Sequence, residues 1–276
     1  TYAHPDTGKK VSRVGIFAAV RLEEYSARAV LPHERTHSAP KADRMNLIRS
    51  VKGNLSPVFG LYEDKEQSLD SLYKSIMEKK PDVSFKDDNN THDIWLIEEK
   101  DSIDRISNFF KTQSIMIADG HHRYETALAY RNELRENGNV SNGQATSDYV
   151  MMVLVNIYDE GLLVFPTHRL LKLKSMPSLE KIKKLLSPYF AISCFNINEA
   201  KNWETRLSKE HKDHVVIGLQ WNKSEACLLH LEDEYGLRRV MPIKKPEAWY
   251  RLDVNIVQHI IIHKLLGVKP EEFEKV

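Results

Sequence analysis

The run Ser114-Ile115-Met116-Ile117-Ala118-Asp119-Gly120-His121-His122-Arg123-Tyr124 constrains this chain more than any other stretch. Its first five residues are small or apolar and read as a short buried strand. From Tyr124 onward the period changes: Tyr124, Ala127, Leu128, Arg131 and Leu134 return at intervals of three and four, which is one face of a helix. Only Asp-Gly-His-His-Arg separates the two patterns, so a strand has to turn sharply into a helix. Asp119 is the expected N-cap, its carboxylate accepting the free amide protons of the first turn. Gly120 lacks a side chain and lets a backbone or ligand approach closely. His121, His122 and Arg123 then stand where the helix dipole and unpaired amides favour an anion. Positive side chains oppose that dipole unless an anion compensates them, so the turn reads as a phosphate seat. The plain alternative is a solvated cap.

Composition narrows the class. The chain has 276 residues, 41% hydrophobic and 29% charged, and so can bury a substantial core in one large domain or two ordinary ones. A net charge of +1 gives no electrostatic reason to expect nucleic acid or an anionic membrane as the main partner. No apolar run approaches the length of a bilayer span. Cys194 and Cys227 fall in strand-like segments and are expected to be reduced core thiols of a cytoplasmic protein, with a disulfide between them as the alternative. No CxxC pair is present, which removes a cysteine zinc site.

Strands alternate with helices through the first half. The sequence opens in what reads as the tail of one strand and a turn, without an initiator methionine, and Val11 to Val20 reads as the returning strand; a missing N-terminal piece is the expectation. After a short extended run at Ala29-Val30-Leu31, Pro40 is placed as a first helical residue, with Gly53 stopping that helix. Pro57 to Tyr62 is a strand, Leu69 to Met77 an amphipathic helix, Ile94 to Ile97 a strand, and Ser102 the cap of a helix through Phe110. The Asn137-Gly138 and Asn142-Gly143 dipeptides mark a surface loop and the expected domain boundary. Beyond it, Tyr149 to Val155 and Leu162 to Phe165 read as a hairpin across Asp159-Glu160-Gly161, and Ser178 as the cap of a helix to Leu186. Strands follow near 191–195, 215–219, 227–229 and 237–240, then a helix over 254–266. The pattern is α/β, grading to α+β in the second half.

Three further clusters carry candidate chemistry. His33-Glu34-Arg35-Thr36-His37 matches H-E-x-x-H, in which two histidines one helical turn apart ligate zinc beside a glutamate base. Pro32 and Pro40 leave at most about two helical turns, and no apolar stripe would bury them. An extended segment in which Glu34 acts as an acid/base without zinc is therefore the preferred reading; a zinc hydrolase through His33, Glu34 and His37 is the minor alternative. Lys41, Asp43 and Arg44 can contact phosphate or metal, or simply form the solvated start of a helix. His168-Arg169, after Pro166-Thr167, reads as surface.

With these residues in place, the chain resembles the bacterial and archaeal domain of unknown function 1015 family along nearly all its length. The likeness rests on Arg13-Val14-Gly15, Leu22-Glu23-Glu24-Tyr25, His33-Glu34-x-Thr36, Lys41-x-Asp43-Arg44, Ser56-Pro57-Val58-Phe59, Ala118 to Arg123, and Leu252-Asp253-Val254. Family members usually carry a further N-terminal segment with a Pro-Tyr-Asp motif and a Pro- and Lys-rich C-terminal tail, both absent from this sequence; His37 is not part of the pattern. More remotely, the chain is similar to the ParB/sulfiredoxin fold, whose relatives include free-L-serine kinases with an Asp-Gly-His-x-Arg turn.

That resemblance implies a ParB/sulfiredoxin-like mixed-sheet nucleotide-binding domain over 1–140 and a smaller α+β domain over 141–276. It implies a small-molecule kinase using Mg²⁺ and ATP or ADP, with free L-serine or a similar hydroxylated metabolite as acceptor. Glu34, Asp119 and His122 are the expected catalytic groups, Glu34 being the base. Gly120, His121, His122, Arg123, Lys41 and Arg44 are the expected nucleotide contacts, and Asp119 the expected Mg²⁺ ligand. The alternative is a ParB-like nucleotide switch without acceptor turnover, binding neither nucleic acid directly nor membrane. Sulfiredoxin chemistry is disfavoured because no cysteine lies near the turn.

Overall fold

The computed structural model describes residues 1–5, 7–33, 39–138, 145–165, 168–171, 177–198, 200, 203–211, 214–242 and 245–268, with the side chains of 39–41 and 208 outside that description. The chain forms two compact units, Thr1–Val164 and Phe165–Val276. The Asn137-Gly138 and Asn142-Gly143 dipeptides gave an expected boundary near 140; the two compact units divide after Val164.

In the first unit, β1 (Tyr2–Ala3) and β2 (Lys10–Val11) form a small antiparallel ribbon. The main elements follow: β3 (Ile16–Arg21), β4 (Val30–Leu31), α1 (Ala39–Val51), β5 (Val58–Tyr62) and α2 (Asp70–Met77). Then come the hairpin β6 (Val83–Asp87) and β7 (Asn90–Ile94), α3 (Lys100–Phe110), β8 (Ile115–Asp119), α4 (His121–Glu136) and β9 (Tyr149–Asn156). Five of these strands make one mixed sheet in the order β3-β9-β5-β8-β4. β3 and β9 are antiparallel, β9 and β5 parallel, β5 and β8 antiparallel, and β8 and β4 parallel.

Alternation along the strands decides which face is covered. Val58 and Tyr62 in β5, Ile115 and Ile117 in β8, and Val150, Met152 and Leu154 in β9 are all buried. Tyr124, Ala127 and Leu128 of α4 join the same cluster, as their helical spacing foretold. Each large apolar side chain buried this way contributes roughly 1.5–3 kcal/mol. Tyr124 is wholly buried yet keeps its hydroxyl paired: it donates to the Glu23 carbonyl at 2.8 Å and accepts from the Glu23 amide at 2.9 Å. Burial raises its pKa above the usual tyrosine value, so it stays a neutral donor. Gly60 sits at an irregularity in the β5–β8 pairing, and a Cβ there would lie 2.7 Å from Ile115 and 2.8 Å from Leu154. The missing side chain lets β5 be roofed from both neighbouring strands. A second cluster, Leu69, Leu72, Ile76 and Ile106, forms between α2 and α3.

The second unit holds α5 (Leu179–Leu186), β10 (Phe190–Asn196), α6 (Trp203–Glu210), β11 (Val216–Gln220), β12 (Glu225–Leu231), α7 (Glu234–Val240), α8 (Glu247–Tyr250), α9 (Asp253–Ile256) and a π-helical stretch, Val257–Leu265. Its sheet is antiparallel in the order β10-β12-β11. Ser178 caps α5 by accepting from the Lys181 amide at 3.3 Å, as expected.

Several local expectations change. Leu162 to Phe165 is not a strand: Leu162 bonds back to the Asp159 carbonyl and Gly161 to the Asp159 side chain, while β9 pairs with β3 and β5 instead. Residues 237–240 belong to α7, because Asp233 caps a helix there through Gly236. Ser102 lies inside α3, whose N-cap is Glu99. The cysteines are not free thiols. Cys194 and Cys227 face each other across β10 and β12, 4.0 Å apart at Cα, and form a disulfide. Cysteine usage therefore gives no argument for a reducing compartment. Among the described residues, no helix is long and apolar enough to cross a membrane.

Candidate functional site

Strand direction brings the candidate residues together. β4 and β8 run the same way, Val30 beside Ile115 and Leu31 beside Met116, so both deliver their following loops to one edge of the sheet. β5 runs the opposite way beside β8, with Phe59 opposite Asp119, so the segment entering β5 lies at that edge too. In α/β sheets the crevice beyond the carboxyl ends of strands is the usual ligand position.

The turn itself differs from expectation in one respect. Asp119 ends β8, and the N-cap of α4 is Gly120, in the left-handed region at φ 93°. No side chain caps this helix start. The Asp119 carboxylate instead pairs with Arg123, whose guanidinium also donates to Ser56 Oγ at 3.2 Å and to the Pro57 carbonyl. A Cβ on Gly120 would come within 2.9 Å of Arg123 Cζ, Nε and Nη2. Glycine is needed at this position both for its backbone angle and for the arginine lying over it.

His121 and His122 are placed differently from each other. His121 is buried, and its Nε2 accepts from the His33 amide at 3.2 Å. The His33 ring stands edge-on to it, 4.5 Å between centroids, and donates from Nδ1 to the Ile117 carbonyl at 2.6 Å. The loop that follows β4 is thus fastened to the turn at its first step. His122 is partly buried, with its Nε2 shielded and unpartnered. Glu34 and His37 lie outside the described residues, as does the Lys41 side chain. Among the described residues no group of three His, Cys, Asp or Glu side chains is arranged to hold a metal. His168 is exposed.

On the other flank of Arg123 lies a cleft between α1 and α4. It is lined by Arg44 and Leu47 of α1, Leu55 and Ser56 of the following loop, and Arg123 and Thr126 of α4, among others. Sequence reasoning singled out Arg44 but missed Thr126, whose only signal would have been a threonine one turn after the Asp-Gly turn. Spacing placed Arg131 on the packed face of α4 but did not give its role there. Its guanidinium is buried and donates to the Leu22 carbonyl at 2.5 Å and to Glu24 at 3.2 Å, tying α4 to the end of β3.

A parallel strand pair opening at its carboxyl ends onto a glycine-started helix defines the first unit as a mixed α/β protein built around a strand–glycine–helix turn. The chain belongs to the family described as Protein of unknown function (DUF1015), which matches it over residues 1–255. No curated protein and no solved structure matches it.

Proposed function

We propose that the chain is a nucleotide-dependent small-molecule kinase on a ParB/sulfiredoxin-like scaffold. The phosphates of ATP or ADP sit at the start of α4, and the acceptor is free L-serine or a similarly small hydroxylated metabolite. The observation that carries this reading is the His33–His121 contact at 3.2 Å, because Glu34 is the next residue in the chain after His33. Phosphoryl transfer asks a protein chiefly for positioning and for neutralisation of charge. The uncapped first turn of α4 supplies amides, and His122 and Arg123 supply cationic or donor side chains. Mg²⁺ takes oxygen ligands, usually one or two carboxylates together with substrate phosphates. The exposed Asp119 carboxylate fits that need once Arg123 turns to the phosphates. Glu34 accepts the proton of the acceptor hydroxyl.

The Asp119–Arg123 pair also favours a second reading, a nucleotide switch in which the arginine changes partner on binding and no acceptor is phosphorylated. Incubation with Mg-ATP or Mg-ADP, with and without serine, separates the two by mass spectrometry of the products. A serine-dependent phosphorylated product supports the kinase; nucleotide binding without acceptor turnover supports the switch. Glu34→Gln is expected to lower turnover on the order of 10²–10⁴-fold while nucleotide affinity stays close to that of the parent. Absence of nucleotide binding in the parent protein refutes both.

A further inference from the structure

The α1–α4 cleft borders the phosphate turn through Arg123, and its other walls carry chemistry of a different kind. It is an open cleft with about 70 Å³ of room for ligand atoms, enough for a small head group. Thr126 is 5% exposed, and its Oγ1 has no hydrogen-bond partner. A threonine inside a helix ordinarily bonds the carbonyl one turn back. This one does not, and it lines the cleft. Leaving a buried hydroxyl unpaired is unfavourable, and a ligand atom relieves it.

The other walls specify what that ligand carries. Arg44 makes no hydrogen bond or ion pair among the described residues, and Arg123 presents the edge that bonds Ser56. Leu47 and Leu55 are large apolar side chains left 47% and 66% exposed at the mouth. No carboxylate is among the lining residues; Arg44 is unpaired among the described residues, while Arg123 is already paired with Asp119 through Nη2.

We propose that this cleft binds a small oxyanion with a short apolar stem, a carboxylic acid or a phosphate monoester. Its charge sits between Arg44 and Arg123, its oxygen accepts from Thr126 Oγ1, and its stem lies on Leu47 and Leu55. Guanidinium groups match both carboxylate and phosphate through paired N–H donors. The site shares Arg123 with the kinase reading but needs neither nucleotide nor Glu34.

The test is calorimetric titration of the full chain with propionate and with ethyl phosphate, propionamide serving as the uncharged control. Saturable millimolar binding of one anion, and none of the amide, is expected; which anion binds identifies the head group. Thr126→Val keeps the side-chain shape and is expected to fold at least as stably as the parent while weakening the anion about tenfold, the usual effect of losing a hydrogen bond to a charged group. Arg44→Gln is expected to weaken it at least as much. Failure of both anions to saturate in the millimolar range, equal binding of propionamide, or unchanged affinity in both variants overturns the proposal. Titration with Mg-ADP keeps the two readings apart: Thr126→Val should leave nucleotide affinity unchanged, and loss of nucleotide binding alone would remove the kinase while leaving this site standing.

Discussion

Replacing Gly120 by alanine separates two contributions that meet at the turn. An L-residue at φ 93° carries about 1–2 kcal/mol of backbone strain. The new Cβ would also lie 2.9 Å from three atoms of the Arg123 guanidinium, a flexible group that can leave. Its departure breaks the Ser56 and Pro57 bonds and the Asp119 pair. The Asp119 side chain is 73% exposed, so that ion pair is worth little; the bonds to Ser56 and Pro57 raise the combined loss to about 1–2 kcal/mol. Gly120→Ala should therefore destabilise the first unit by about 2–4 kcal/mol, and Arg123→Ala by about 1–2 kcal/mol. In the double variant the arginine is already gone and only strain is added, so its total should match Gly120→Ala alone. Hydrogen exchange of the amides over 115–136 together with urea denaturation gives all three values. Additive losses, or a Gly120→Ala change below about 0.5 kcal/mol, would refute the account of why glycine occupies this position.

Reduction of the disulfide and mild acid test the second unit. The Cys194–Cys227 link spans 33 residues, and opening it should cost roughly 3–4 kcal/mol by loop-closure arithmetic; an unchanged melting temperature in dithiothreitol, or free thiols in protein purified without reductant, contradicts the pairing. Burial, with His263 and Lys245 nearby, holds the His259 pKa below its ordinary value, so its neutral form belongs to the fold. Stability from this source is present above the unfolded value of about 6.5 and is lost as pH falls through the lowered folded value. Glu234 adds a more acidic window: its carboxylate is held down by Arg251 and Arg238, and its contribution disappears as pH falls below the usual carboxylate range. His259→Gln should flatten the upper window in a melting-temperature profile and leave the lower one; an unchanged upper slope would show that another group titrates there.

What could be read from the chain was whatever local pattern sets. The period change at Ala118–Tyr124 located β8 and α4 and the face of α4 that packs on the sheet. Pro40 and Gly53 bracketed α1, and Ser178 started α5. The failures have non-local causes. Leu237 and Val240 are spaced for a helix, but a stretch of four residues also passes for a strand until Asp233 is seen to cap it. The capping role moved from Asp119 to Gly120 because Arg123, held by Ser56 and Pro57 in the segment entering β5, claims the carboxylate. The cysteine pairing depends on the register of β10 against β12, which no short window contains. Thr126 becomes conspicuous only in the cleft that α4 shares with α1 and the loop after it.

The position of β9 has a bearing on how the molecule is born. This strand, the last of its sheet to leave the ribosome, sits between β3 and β5, two of the earlier ones. Until residue 156 has emerged, β3 has no partner in the five-stranded sheet and the flank of β5 that faces β9 carries open amides and carbonyls. The nascent first unit therefore waits, edges bare, for its keystone, and a translation product ending near residue 140 is expected to be a substrate for chaperones and proteases rather than a smaller working protein.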